Sequence, residues 1–175
     1  MDRRSFLRKA SKLWLAASAA WAGWASSFPA EAKEPTKVNK LSKPKSAWKA
    51  LLPAASYAVL FEEDTEPPFS SPLNEEKRSG TFVCAACYLP LFDSAKKYDS
   101  GTGWPSFWDA RPGAIGTSTD YKLLYARTEY HCARCGGHQG HIFDDGPPPT
   151  GRRYCNNGLA LRFVPVNDAL PALRS

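Results

Sequence analysis

The chain has 175 residues, with 23 basic and 17 acidic side chains and a formal charge of +6. The excess lies near the N-terminus: from Ala50 onward 12 basic residues face 14 acidic ones, a balance of −2. That excludes a nucleic-acid module built on a basic patch, and the length leaves room for one domain with a modest core.

The first segment has the order of an export signal. Asp2-Arg3-Arg4-Ser5-Phe6-Leu7-Arg8 is basic, Leu13 to Ala25 is apolar, and Ala30-Glu31-Ala32 offers a small-x-small cleavage site. The adjacent arginines favour the twin-arginine route. The apolar run is shorter than the ~20 residues that span a bilayer, so residues 1–32 are expected to be cleaved rather than kept as an anchor. The mature chain would then begin at Lys33, in the periplasm and free of the membrane. A chain exported already folded could carry occupied thiolates into that oxidising compartment. Residues 33–45, rich in Lys, Pro and Ser, are expected to form a flexible tether. The single methionine is Met1, so the mature part contains none, as would suit a protein working where methionine is oxidised.

Residues 46–175 read as the folded domain. Ser46 to Leu52 and Pro53 to Leu60 suggest two short helices, with Pro53 in the first turn of the second. Glu66-Pro67-Pro68-Phe69 ends the helical pattern. From Gly80 onward short apolar or aromatic runs alternate with Gly, Pro, Asp and Ser. Thr81–Val83, Tyr121–Tyr125 and Leu159–Phe163 are predicted strands. The expected fold is mainly antiparallel β with a helical N-terminal cover.

Four of the five cysteines form two C-x-x-C pairs, Cys84 with Cys87 and Cys132 with Cys135. Their separation of roughly 45 residues exceeds the ~15–20 of a compact zinc ribbon, so the scaffold must bring two knuckles together. Four thiolates suit one tetrahedral zinc ion with no open position, a structural site. Two disulfides, which export permits, and iron are the alternatives.

The fifth cysteine, Cys155, lies in Arg153-Tyr154-Cys155-Asn156-Asn157 and has no partner left. If that segment is extended, Arg153, Cys155 and Asn157 share one face: a thiol, a cation favouring its thiolate, and an amide able to bond a polar substrate. A lone cysteine in a strand is by itself commonly an inert core residue. His138 and His141, in a glycine-rich segment, add groups able to move a proton near neutral pH. They could also be extra metal ligands or surface residues. Trp104, in Gly103-Trp104-Pro105-Ser106-Phe107-Trp108, reads either as packing or as an apolar cup for a methyl group.

These motifs together resemble the B-type peptide-methionine-(R)-S-oxide reductases: Thr81-Phe82-Val83-Cys84-x-x-Cys87, Ser100-Gly101-Thr102-Gly103-Trp104-Pro105-Ser106-Phe107, Cys132-x-x-Cys135-Gly136-Gly137-His138-x-Gly140-His141-x-Phe143-x-Asp145-Gly146-Pro147 and Arg153-Tyr154-Cys155-x-Asn157. The resemblance spans about Trp48 to Pro165. It implies two antiparallel sheets with one structural zinc ion per chain on Cys84, Cys87, Cys132 and Cys135. It implies that Cys155 attacks the sulfur of methionine-(R)-sulfoxide in oxidised proteins, with His141 and His138 helping to protonate the departing oxygen. Asn157 and His138 would hold the substrate and Trp104 would receive its methyl group.

Cys155 would become a sulfenic acid. Many relatives carry a resolving cysteine where this chain has Thr102, so an external thiol or a thioredoxin-like reductant is expected to complete the cycle. A second departure is Gln139, where relatives often have an apolar residue. A monomer engaged in oxidative-stress repair is the expectation. A non-catalytic zinc-stabilised β module that binds protein or peptide is the main alternative, and a thiol peroxidase a lesser one.

Overall fold

The computed structural model describes residues 38–122 and 125–175. The signal segment, its cleavage point and residues 33–37 of the tether fall outside them, as do Leu123 and Leu124 within a predicted strand. From Val38 the chain is fastened to the domain rather than free. Val38 and Leu41 pack against the core, and the Leu41 N–H donates to the Arg134 carbonyl at 2.7 Å. Two apolar residues three positions apart are enough to dock an otherwise polar segment beside the second knuckle.

The first predicted helix is a single 3-10 turn, Lys45–Trp48. A segment this short cannot sustain an α-helix alone, and its form is set by Trp48, fully buried and stacked on Phe61 at 5.6 Å. The second forms as α1, Ala54–Glu62, directly after Pro53. It ends where Glu63 adopts a left-handed conformation (φ 57°) and its N–H turns back to the Ala58 carbonyl.

Among the described residues nine strands follow: β1 (Gly80–Cys84), β2 (Pro90–Asp93), β3 (Lys97–Tyr98), β4 (Ser106–Phe107), β5 (Ile115–Asp120), β6 (Arg127–Cys132), β7 (His138–Phe143), β8 (Arg153–Asn156) and β9 (Leu161–Pro165). They form two antiparallel sheets, three-stranded β2-β1-β9 and six-stranded β3-β4-β8-β7-β6-β5. The aromatic core joins them. Phe82 and Phe92 of the small sheet meet Phe107 of the large one at 5.0 and 4.2 Å, and Tyr130 and Tyr154 close the cluster.

Two predicted strands are displaced. Tyr121, Lys122 and Tyr125 lie in the β5–β6 connection, because the Asp120 carboxylate accepts the Lys122 N–H at 2.7 Å and turns the chain out of the sheet. Tyr121 and Tyr125 are accordingly exposed. Gly158–Ala160 is a 3-10 turn, so β9 starts at Leu161 rather than Leu159.

One irregularity organises the large sheet. Tyr130 faces Gly140 and His131 faces His138, leaving Gln139 unmatched in a β-bulge. Strand alternation would put residues three apart on opposite faces. The extra residue instead lets the His138 and His141 rings meet, with centroids 5.5 Å apart.

Candidate active site and metal centre

Each C-x-x-C pair occupies a turn that closes a strand, and the two turns are built alike. The N–H four residues after the first cysteine donates to that cysteine's carbonyl, from Tyr88 in one and Gly136 in the other, both at 2.9 Å. Both donors have positive φ, 62° and 72°. The first cysteine's own N–H bonds the carbonyl five residues on, Leu89 or Gly137. This repeated backbone aims both sulfurs of each turn inward.

The four sulfurs lie within 4.8 Å of one another, with Cys84–Cys135 at 3.7 Å and Cys87–Cys132 at 3.5 Å. A disulfide would place two sulfurs ~2.0 Å apart. A tetrahedral ion holding thiolates at ~2.3 Å sets them about 3.8 Å apart. The donor set and its spacing therefore fit a closed four-thiolate metal centre. His138 and His141 are not among the clustered donors.

Cys155 sits within a row of directly paired residues across the large sheet. Tyr98 faces Ser106, Ser106 faces Cys155, Cys155 faces His141, and His141 faces Glu129. Paired residues in adjacent antiparallel strands point to one side, with Cβ atoms ~5 Å apart. Cys155, His141, Trp104, Arg127, Phe143 and Asn157 line a cavity of about 160 Å³, together with Thr65, Gly140 and Asn156. A larger groove of about 810 Å³, bordered by Leu52, Tyr88, Arg162 and Phe163, has neither cysteine nor histidine in its walls. The chemistry therefore belongs to the smaller recess.

Burial raises the Cys155 thiol above its ordinary range, opposed by the Arg153 guanidinium and the Thr102 hydroxyl. Arg153 is held by a two-pronged pair to Asp145, both bonds 2.8 Å, and lies 4.3 Å over the Phe143 ring. That grip fixes the cation near the sulfur without handing it over fully. Thr102 begins a chain of hydroxyls: Thr102 to Ser100 at 2.8 Å, Ser100 to Ser106 at 2.7 Å, and Ser106 donating to the Trp104 carbonyl.

Both site histidines have a carboxylate behind them. His141 Nε2 lies 2.8 Å from Asp120 Oδ2, and Arg127 pairs with the same oxygen. The Lys122 N–H, His141 and Arg127 hold the Asp120 carboxyl well below the usual range. His141 thus donates Nε2–H to a carboxylate and keeps Nδ1 as an acceptor. Burial lowers His141 below an ordinary histidine despite Asp120. His138 Nδ1 lies 2.7 Å from Glu129 Oε1. Burial pushes Glu129 up, but bonds from His138 and Ser118 outweigh it and leave it below the usual carboxylate range.

Of the residues predicted from sequence, Cys155, His141, Trp104 and Asn157 come together at the recess. His138 is buried with its ring 5.5 Å from that of His141, and it does not line the recess. Asn157 follows β8 rather than belonging to it, and its amide is engaged by backbone: Oδ1 accepts the Glu66 N–H and Nδ2 donates to the Gln139 carbonyl. The Trp104 indole N–H donates to the Glu66 carbonyl at 3.0 Å, and the Glu66 carboxylate receives the Gly158 and Leu159 N–H groups. Glu66 thus ties Trp104 to the end of the cysteine-bearing strand.

Glu66, Asp120, Arg127 and Glu129 escaped the sequence reading. A signal existed for two of them, since Arg127, Glu129 and His131 alternate with Thr128, Tyr130 and Cys132 along β6. None existed for Glu66, whose partners lie 38 and 91–93 positions away.

Comparison with known proteins agrees with this geometry. Residues 52–165 match the model of the SelR domain. A Pseudomonas putida (strain W619) protein named peptide methionine sulfoxide reductase MsrB is 46% identical over 133 residues, covering 75% of this chain and 100% of that protein. Proteins of the same name from Agrobacterium fabrum and Methanosarcina mazei are 46% and 44% identical, over 73% and 74% of this chain and 95% and 94% of their own lengths. The chain belongs to the SelR-domain family, that of the MsrB methionine sulfoxide reductases.

Proposed function

We propose that the protein reduces the R epimer of methionine sulfoxide in oxidised proteins, with Cys155 as nucleophile and an external thiol as reductant. The observation that carries this reading is the direct pairing of Cys155 with His141 at a recess also walled by Trp104. The thiol is raised and the imidazole lowered, so the resting pair is neutral: an S–H on one strand and an uncharged imidazole on the residue paired with it. Cys155 passes its proton to Nδ1 as its sulfur attacks the sulfoxide sulfur. The imidazolium that forms is steadied by Asp120, and the proton moves on to the sulfoxide oxygen.

The substrate's S–O bond breaks as its oxygen passes to the Cys155 sulfur, the bond between the two sulfurs breaks as methionine leaves, and Cys155 remains as a sulfenic acid. One external thiol then displaces water to form a mixed disulfide, and a second releases Cys155. Thr102 offers a hydroxyl where a resolving thiol would be needed. Trp104, braced by Glu66, faces the substrate methyl group. His138 fixes its neighbour His141 from behind, and Asn157 sets the backbone around the recess. The non-catalytic module is the weaker reading, since it leaves a thiol, an imidazole and a carboxylate aligned without purpose.

Zinc is the metal proposed for Cys84, Cys87, Cys132 and Cys135, where it would supply folding energy and no open coordination position. Residues 1–32 are proposed as a cleaved twin-arginine signal and the mature protein as a periplasmic monomer, with a thioredoxin-like reductant. The basic, apolar and small-residue order of that segment supports this. Among the described residues no helix is long and apolar enough to cross a membrane.

Thiol-driven assays on separated epimers of a sulfoxide peptide should show turnover of R alone. Cys155→Ser should lose at least about a thousandfold, the scale on which removing a covalent nucleophile acts; retained activity would remove Cys155 from the mechanism. Alkylation of Cys155 should speed up with pH through a midpoint above that of a free thiol. Arg153→Met takes away a charge that favours thiolate, so its midpoint should lie higher still, and a lower one would reverse the assignment. Metal analysis of purified protein should return one zinc per chain; a metal-free folded protein would reject the centre. N-terminal sequencing of exported protein should begin at Lys33, and a start at Met1 would refute cleavage.

A further inference from the structure

Strand β7 serves the recess through His141 and touches the thiolate cluster through Gln139. The Gln139 side chain is fully buried, and its Nε2 lies 3.6 Å from the Cys84 sulfur. Its Oε1 is buried without a partner. An amide kept in a core with half its hydrogen-bonding capacity unused is disfavoured against an apolar side chain of the same shape. Its presence calls for a favourable contact elsewhere, and its N–H meets a sulfur. The same residue's carbonyl receives both the Asn157 N–H and the Asn157 amide, at 2.8 and 3.2 Å. Gln139 is also the bulge residue that brings His138 and His141 together.

We propose that Gln139 is an outer-shell donor to the Cys84 thiolate, retaining the metal and tying the metal centre to the catalytic strand. Four thiolates around a divalent cation leave a net charge of about −2 in a buried site. An N–H aimed at one sulfur offsets part of that charge and weakens the thiolate's tendency to take up a proton or an oxidant. A thiolate can only accept, so the amide meets it with Nε2, while Oε1 is left without a partner. Leu60 packs against the second knuckle, its Cδ2 2.9 Å from where a Gly137 Cβ would be. This inference rests on the metal reading given above, and its test separates the two.

The experiment uses full mature protein, wild type beside Gln139→Leu and Gln139→Met. Metal content is measured first, then release of the metal to a chromogenic chelator, and then the sulfur-to-metal charge-transfer band after cobalt substitution. Loss of one outer-shell partner is expected to weaken retention roughly 10- to 100-fold. Both variants should therefore release metal faster than wild type, with a shifted cobalt band, while far-UV circular dichroism is unchanged in the loaded state. Met is unbranched and close to Gln in length, so it retains the test if Leu does not fold. Equal release and an identical cobalt band in wild type and a folded variant would overturn the donor role and leave the metal centre standing. Wild-type protein without metal would overturn both.

Discussion

The hydrogen-bonded pairing of β7 with β8 is the contact on which the site depends. It is unusually close at one point: a Cβ on Gly140 would stand 1.9 Å from the Cys155 carbonyl oxygen. Only glycine lets the two strands approach there, and that approach sets His141 opposite Cys155. One residue earlier the bulge turns the Gln139 side chain toward the thiolates, and before that the second knuckle closes the loop. Metal ligands, bulge and imidazole thus follow one another from Cys132 to His141, and each constrains the next.

Electrostatics in the recess keep the nucleophile in reserve. Burial holds Cys155 as a thiol and His141 as a neutral imidazole, while Arg153 and Asp120 each stand ready for the charge that appears when the proton moves. Arg153 is itself bound to Asp145, which keeps its field partial. The two carboxylates behind the two imidazoles do different work. Asp120 meets the ring on the cavity wall, whereas Glu129 meets the buried one that does not line it.

The fold class and the composition of the metal cluster were legible in the sequence, because C-x-x-C pairs and short alternating strands have local signatures. Thr81–Val83 could be read as a strand because it is apolar on both sides and bounded by Gly80. β5 and β7 could not, since Ile115-Gly116-Thr117-Ser118-Thr119-Asp120 and His138-Gln139-Gly140-His141-Ile142-Phe143 lack an apolar period; their pairing is imposed by neighbours. The five residues from Tyr121 to Tyr125 looked like a strand, yet an Asx turn at Asp120 takes the chain out of the sheet. Of the site, Cys155, His141 and Trp104 stood out through residue type and motif. The carboxylates did not, because Asp120 reaches His141 across 21 positions and Glu66 reaches Gly158 across 92, distances no local pattern carries.

The recess of about 160 Å³ contains Cys155 and no other cysteine. A hydroxyl chain runs from Thr102 to the Trp104 carbonyl, and Glu66 ties the Trp104 indole to the segment that follows the cysteine-bearing strand. On the proposed reading, oxygen acceptor and reductant-binding point are one sulfur atom. Repaired methionine must therefore withdraw before a thiol can enter, and the two reactants exclude each other from the same vestibule. The kinetics that follow are those of strict alternation, in which excess reductant competes with substrate instead of assisting it. The rate of repair would then depend on traffic through one doorway as well as on bond-making inside it.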